Sequence, residues 1–333
     1  MRCFFSLLKN RFRHLAILTA LLLASVSAGA QTLHCTTWDS STTELPDNLI
    51  KTLCTGPDDH LWFATGDCFY GGILAEFDGA QFRVYDSANS GLPDKFITSI
   101  YIDENNIKWL GTRFHGLLRF DGSAYTSWNP TNSGIPDAHV VCMTYEEDRG
   151  FWLGTDRGLA FFDGKSWIAY SSKNSPLPDD IIYSIAIDSS GKKWIATSKG
   201  FACFDDQNWK VYTPANSALP VEQVNYIYYD RFNVLWVVFW GGIIKISNGE
   251  WQVYTPENSG LPRFCEYKIF VDEQNVKWFA TNTGLVVWDQ DTWKTYNPTN
   301  SVIPSFFINL ILDGGNGQKW IATQDGLVKM EYK

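Results

Sequence analysis

Apolar and polar positions alternate along this chain in short runs, and the runs predict strands. Ile97, Ile100 and Ile102 mark one strand, which a polar turn at Asp103-Glu104-Asn105-Asn106 ends. Lys108-Trp109-Leu110-Gly111-Thr112 predicts a second strand, and Leu117-Leu118-Arg119-Phe120 a third after a loop ending in Gly116. Asp121-Gly122 favours a hairpin turn, because such pairs accept positive φ. A fourth strand carries Tyr125 and Trp128, and Asn132-Ser133 leads to the next Gly-Ile-Pro. The 3.6-residue periodicity of an amphipathic helix is absent throughout.

This unit recurs. Trp62, Trp109, Trp152, Trp194, Trp236, Trp278 and Trp320 are spaced by 47, 43, 42, 42, 42 and 42 residues. Pro46, Pro93, Pro136, Pro178, Pro220, Pro262 and Pro304 repeat with the same six spacings. Four strands per unit and seven units predict an all-β fold, a seven-bladed β-propeller. The last unit stops after its third strand, Leu327 to Tyr332. Cys35-Thr36-Thr37-Trp38 followed by Leu45-Pro46 aligns with Trp293-Lys294-Thr295-Tyr296 followed by Ile303-Pro304. The N-terminal strand is therefore expected to complete the last blade and close the ring, removing exposed strand edges.

Residues 1–30 change the picture of the N-terminus. Arg2, Lys9, Arg11 and Arg13 precede an apolar stretch from Leu15 to Val26, and Ala28-Gly29-Ala30 offers small residues for cleavage. This is the layout of a secretory signal peptide, so residues 31–333 are expected to form the propeller of an exported, periplasmic or secreted monomer with no membrane span. The 27 basic residues less those four leave 23 against 36 acidic ones, shifting the formal charge from −9 to −13. No basic run resembles a phosphate-binding patch, so nucleic acid is not an expected partner. Six cysteines remain (Cys35, Cys54, Cys68, Cys142, Cys203 and Cys265), scattered and without a CxxC pair; zinc is not expected from them, and their spacing identifies no disulfide.

Leu-Pro-Asp-x-x-Ile-x-x-Ile-x-x-Asp, then Lys-Trp-Leu-Gly-Thr, Gly-Leu and Phe-Asp-Gly, resembles the two-component regulator propeller repeat. Residues 93–122 carry the clearest copy, and Trp152-Leu153-Gly154-Thr155 with Gly158-Leu159 is a variant. In that family such repeats build periplasmic sensor regions of hybrid histidine kinases, often tuned to glycans, mainly in Bacteroidetes. The sequence shows no immunoglobulin-like segment after the propeller, no membrane helix there and no kinase. What the resemblance implies is the fold and a ligand- or partner-binding role.

Seven copies provide an internal control: a residue in every copy is architectural, and one that departs from its counterparts is a candidate for function. The Asp-rich hairpins lack the ligand number and spacing of a calcium loop and read as ordinary turns, so no metal or other cofactor is expected. The loops joining second and third strands are expected on one face with the inter-blade connections. Blade 1 has a five-residue insertion there, including Phe69 and Tyr70, and blade 2 one extra residue in Arg113-Phe114-His115-Gly116. Blade 5 has Phe239 where Thr is usual, followed by Trp240, the one tryptophan of 15 without a counterpart. Blade 6 places Glu266 where the other copies have Ile or Val, beside Arg263 and Phe264. Phe69, Tyr70, Arg113, Phe114, His115, Trp240, Arg263 and Glu266 are thus the expected ligand-binding residues, since aromatics and Arg are favoured anchors. The rim suits a glycan or other small ligand, or alternatively an envelope protein. A lyase of the streptogramin type, using His115, His139 and Glu266, is a third and weaker reading, because no recognisable catalytic motif accompanies them.

Overall fold

The computed structural model describes residues 33–66, 69–263 and 267–332. Its strands form seven four-stranded antiparallel sheets, each pairing in chain order from an inner to an outer strand. Blades 1 to 6 span residues 50–85, 97–128, 140–170, 182–212, 224–254 and 268–296, and blade 7 takes residues 308–332 with Leu33–Trp38 outermost. The closing strand pairs from Leu33 opposite Tyr332 to Trp38 opposite Leu327. Blade 2 has the boundaries the pattern predicts: Ile97–Ile102, Lys108–Thr112, Leu117–Phe120 and Tyr125–Trp128. The expected signal segment, residues 1–30, lies outside the described residues.

The core is seven apolar clusters, one in each seam between neighbouring blades. Between blades 3 and 4, Trp152, Leu159 and Phe161 pack on Ile182, Ile185 and Ile195. Second and third strands are buried on both faces and so read as continuous apolar runs. Across the closing seam Trp38 meets Phe77 edge-on at 5.3 Å and lies 5.5 Å from Trp320.

Recurrent polar residues fix the loops. Asn132 accepts a bond from Asn129 N–H at 2.8 Å and donates Nδ2–H to Ser127 O at 3.0 Å, tying the outer strand to the connection that follows. Gly158, at φ 130°, opens its third strand, where a Cβ would sit 2.4 Å from Tyr170 O; only glycine lets the outer strand approach so closely. The turn aspartates do more than form turns. Asp230 accepts the N–H groups of Phe232 and Val234 on one oxygen, and the Trp236 indole N–H on the other at 2.8 Å.

Candidate ligand-binding face

Antiparallel strands that begin at the inter-blade connections return there through the loops joining second and third strands. Both sets of segments therefore share one face, and the inner strands lead from it into the central channel. Two columns of the repeat make the channel wall. Five residues after each proline stand Lys51, Thr98, Val141, Tyr183, Asn225, Tyr267 and Asn309, and one residue further Thr52, Ser99, Cys142, Ser184, Tyr226, Lys268 and Leu310. All but Lys51 line a cavity of about 690 Å³. In six blades the inner strand carries a bulge between the fourth and sixth residue after the proline, so the fifth residue leaves the ladder. Two such residues bind the neighbouring blade: Thr98 Oγ1 donates to Val140 O at 2.5 Å and Asn309 Nδ2 to Ile50 O at 2.7 Å.

The wall mixes hydroxyl, amide and aromatic side chains with apolar ones such as Val141, Met143 and Leu310. Among its described residues none is Asp or Glu, and Lys268 carries the one charge. Ser99 Oγ and Asn225 Oδ1 are buried there with no hydrogen-bond partner among the described residues. Burial in the wall, with Tyr228 beside it, pushes the Tyr226 hydroxyl well above its usual pKa and keeps it a neutral donor.

Trp240 stands at the mouth of this channel with Asn282, Phe307 and Gln324, and is 53 % exposed. Its setting follows from what blade 5 lacks. In blades 2 to 4 the aspartate after the proline caps its own loop through one oxygen and takes a basic side chain from the facing loop on the other. Asp94 faces His115 at 3.2 Å, Asp137 faces Arg157 at 3.0 Å and Asp179 faces Lys199 at 2.7 Å. Burial opposes ionisation of Asp179, but Lys199 and the Ile181 N–H outweigh it and hold the carboxyl below its usual range. Blade 5 has Val221 and Gly241 at these two positions. The polar lock is gone, and an indole projects from the loop instead.

The predicted residues do not form one site. Arg113, Phe114 and His115 lie at the seam of blades 1 and 2, where Phe114 and His115 line a separate cavity of about 390 Å³ with Asp94, Lys95 and Phe96. Phe114 N–H donates to Asp94 at 2.8 Å, its ring meets Phe96 edge-on at 5.2 Å, and Arg113 lies over it at 5.4 Å. Phe69 and Tyr70, 80 % and 79 % exposed, rise from the blade 1 insertion, which reaches this seam through Gly72 N–H and Lys95 O at 2.8 Å. His115 holds the place of Arg157 and Lys199, so its aspartate bond belongs to the framework. His139 is bonded to Asp156 at 2.8 Å. Arg263 pairs with Glu257 at 3.1 Å on the surface, and Glu266 lies outside the described residues. Of the seven that are described, Trp240 alone lines the channel. The wall residues Ser99, Asn225, Lys268 and Asn309 were missed, although their columns vary from blade to blade.

Exposed apolar side chains are unequally shared between the faces. Phe69, Tyr70, Phe114, Ile181, Val221, Trp240, Phe306 and Phe307 are on the channel-mouth face; Tyr145, Ile168 and Phe232 lie elsewhere. No described helix is long and apolar enough to cross a membrane.

No protein-family model and no curated protein matches the chain. Solved structures do. The extracellular domain of the hybrid two-component system BT3049 from B. thetaiotaomicron superposes with a TM-score of 0.74 at 21 % identity, over 89 % of this chain and 41 % of that one. PorZ, a surface component of the type-IX secretion system of Porphyromonas gingivalis, gives 0.68 at 18 %, over 86 % and 46 %. The chain thus spans less than half of either. Virginiamycin B lyase from Staphylococcus aureus gives 0.71 at 12 %, over 90 % and 99 %. The likeness is one of fold, and it agrees with the family that the repeat motif resembles.

Proposed function

We propose that this chain, a propeller with the fold of two-component extracellular domains, is an exported, non-catalytic module that binds a glycan or similar small polar ligand in the channel mouth beneath Trp240. The observation that carries the reading is the channel cavity, with Trp240 at its mouth and two buried oxygens, on Ser99 and Asn225, without hydrogen-bond partners among the described residues. An indole face stacks on a sugar ring, while hydroxyls and amides below it exchange hydrogen bonds with the ring's hydroxyls. Extracellular neighbours and the basic-apolar N-terminal segment support export.

Calorimetry against an oligosaccharide panel tests this. Trp240→Ala and Asn225→Ala are each expected to weaken a hit by about tenfold or more, and Arg263→Ala to leave it unchanged. Hits indifferent to both channel substitutions sink the assignment.

The apolar bias of the same face favours a second reading, an interaction platform for an envelope protein. If no sugar binds, a partner that co-purifies with the wild type but not with Phe69→Ala/Tyr70→Ala/Phe114→Ala supports it. The lyase reading gains nothing from the geometry, since His115 and His139 are held by different aspartates in different blades.

A further inference from the structure

The face opposite the channel mouth carries the turns between inner and second strands, and there blade 1 departs from the pattern. In blades 2 to 6 the indole N–H of the repeat tryptophan donates to a carboxylate six residues earlier. The pairs are Trp109 with Asp103 (3.1 Å), Trp152 with Glu146 (2.7 Å), Trp194 with Asp188 (3.0 Å), Trp236 with Asp230 (2.8 Å) and Trp278 with Asp272 (2.8 Å). Blade 1 has Gly56 at that position and blade 7 Gly314, but in blade 1 the indole is left buried. Trp62 is 1 % exposed, and its Nε1–H has no acceptor among the described residues.

Two other substitutions accompany this loss. Glu76 pairs in register with Trp62 on the third strand and is 5 % exposed; its counterparts are Arg119, Phe161, Cys203, Lys245, Val287 and Lys329. His60 stands where the other blades have Ile107, Gly150, Lys192, Val234, Val276 and Gln318. His60 Nδ1 is 2.6 Å from Glu76 Oε1 and 3.6 Å from Asp58 Oδ2, and these ligand atoms lie within 4.8 Å of one another. Gly56 lies close against them: a Cβ there would be 2.7 Å from Asp58 Oδ1 and 3.6 Å from Asn106 Oδ1, an oxygen that is also buried with no partner among the described residues.

We propose that Asp58, His60 and Glu76 bind a divalent ion of the zinc class, with a water beside Gly56, in the place the missing carboxylate leaves, as a further ligand. One imidazole nitrogen and two carboxylate oxygens suit zinc, whereas calcium demands six to eight oxygens. A metal-bound water fits the orphaned atoms: it accepts from Trp62 Nε1–H and donates to Asn106 Oδ1. Around Glu76, Tyr85 Oη donates at 2.8 Å and orients the carboxylate. Two cations oppose the ion. Arg83 Nη1 is 3.7 Å from Glu76 Oε2, and the Lys108 ammonium lies 4.4 Å from the Trp62 ring centroid. The site joins a turn of blade 1 to its third strand at the seam with blade 2, where Asn106 Nδ2 donates to Asp58 Oδ2 at 2.9 Å.

The test is zinc titration by calorimetry on the chelator-stripped protein with its thiols alkylated, alongside metal analysis of the protein as purified. A single equivalent is expected to bind. His60→Ala and Glu76→Gln should each weaken it by more than about 100-fold, and His139→Ala should not. Lys108→Met should tighten binding roughly tenfold, because it removes a nearby positive charge; loss of folding cannot imitate that gain. The proposal falls if neither wild type nor Lys108→Met binds zinc, if His60→Ala and Glu76→Gln retain it, or if Lys108→Met binds no tighter.

Discussion

The tryptophan at the head of the second strand does two jobs at once in blades 2 to 6. Its ring fills the seam with the next blade, and its N–H satisfies a carboxylate oxygen of the preceding turn. Asp230 is itself buried, so removing its indole partner leaves an acceptor away from water. Trp236→Phe keeps most of the apolar surface and deletes that bond, and is expected to cost about 1–3 kcal/mol. Denaturant unfolding checks the figure, and a loss near zero would mean that water reaches Asp230. Residue-level reasoning from the sequence recognised the turn aspartates but saw only half their role. The six-residue interval to tryptophan is visible in the chain, yet the bond across it depends on which oxygen the turn leaves over. The same interval, broken at Gly56, was the legible signal for the blade 1 cluster.

Hairpins between third and outer strands are sensitive to acid. Asp78, Asp163 and Asp205 each accept a backbone N–H from three residues on, and Asp121 is held chiefly by the Ser123 hydroxyl; all four have pKa values below the usual range. Above about pH 5 these carboxylates are ionised in folded and unfolded chains alike, and their stabilisation is complete. As pH falls below that, the unfolded chain takes up protons first, so stability drops until the folded hairpins protonate as well. Melting temperature is therefore expected to fall between pH 5 and pH 3 (about 4 being the unfolded midpoint), and less steeply in Asp121→Asn. A parallel fall in both proteins would remove these hairpins as the cause. Thiols show the opposite shift. Burial raises Cys54 to about 11, so it stays protonated at neutral pH and should react with a disulfide reagent only on unfolding. Strand positions and turns were legible because the repeat shows each of them seven times. The channel wall was not, since its two columns vary from blade to blade and no motif marks them.

Closure is the decisive feature of the whole molecule. Leu33–Trp38 contributes a six-residue ladder and the Trp38 ring to the seam of blades 7 and 1. Deleting residues 31–45 opens that seam and exposes the edge of the last sheet, and is expected to cost several kcal/mol and lower the melting temperature by roughly 10 °C or more. An unchanged melting temperature would mean that the ring holds without its clasp. The alignment of Cys35–Trp38 with residues 293–296 was enough to foresee this strand, because a missing outer strand at one end of the chain matched a surplus one at the other. The candidate site was only partly foreseen: Trp240 was singled out, but Phe114 and His115 were grouped with it, though they belong to another seam. Sequence register places a loop on a face without giving its distance from the axis.

The clasp also sets an orientation. Leu33 lies opposite Tyr332, at the ends of their strands remote from the Trp240 mouth, and the chain enters and leaves the ring side by side. Whatever either end is joined to hangs from the turn-bearing side. A propeller tethered there points its open mouth away from the anchor, like a cup held by its base, and pulling on the tether peels the clasp before it strains any other blade.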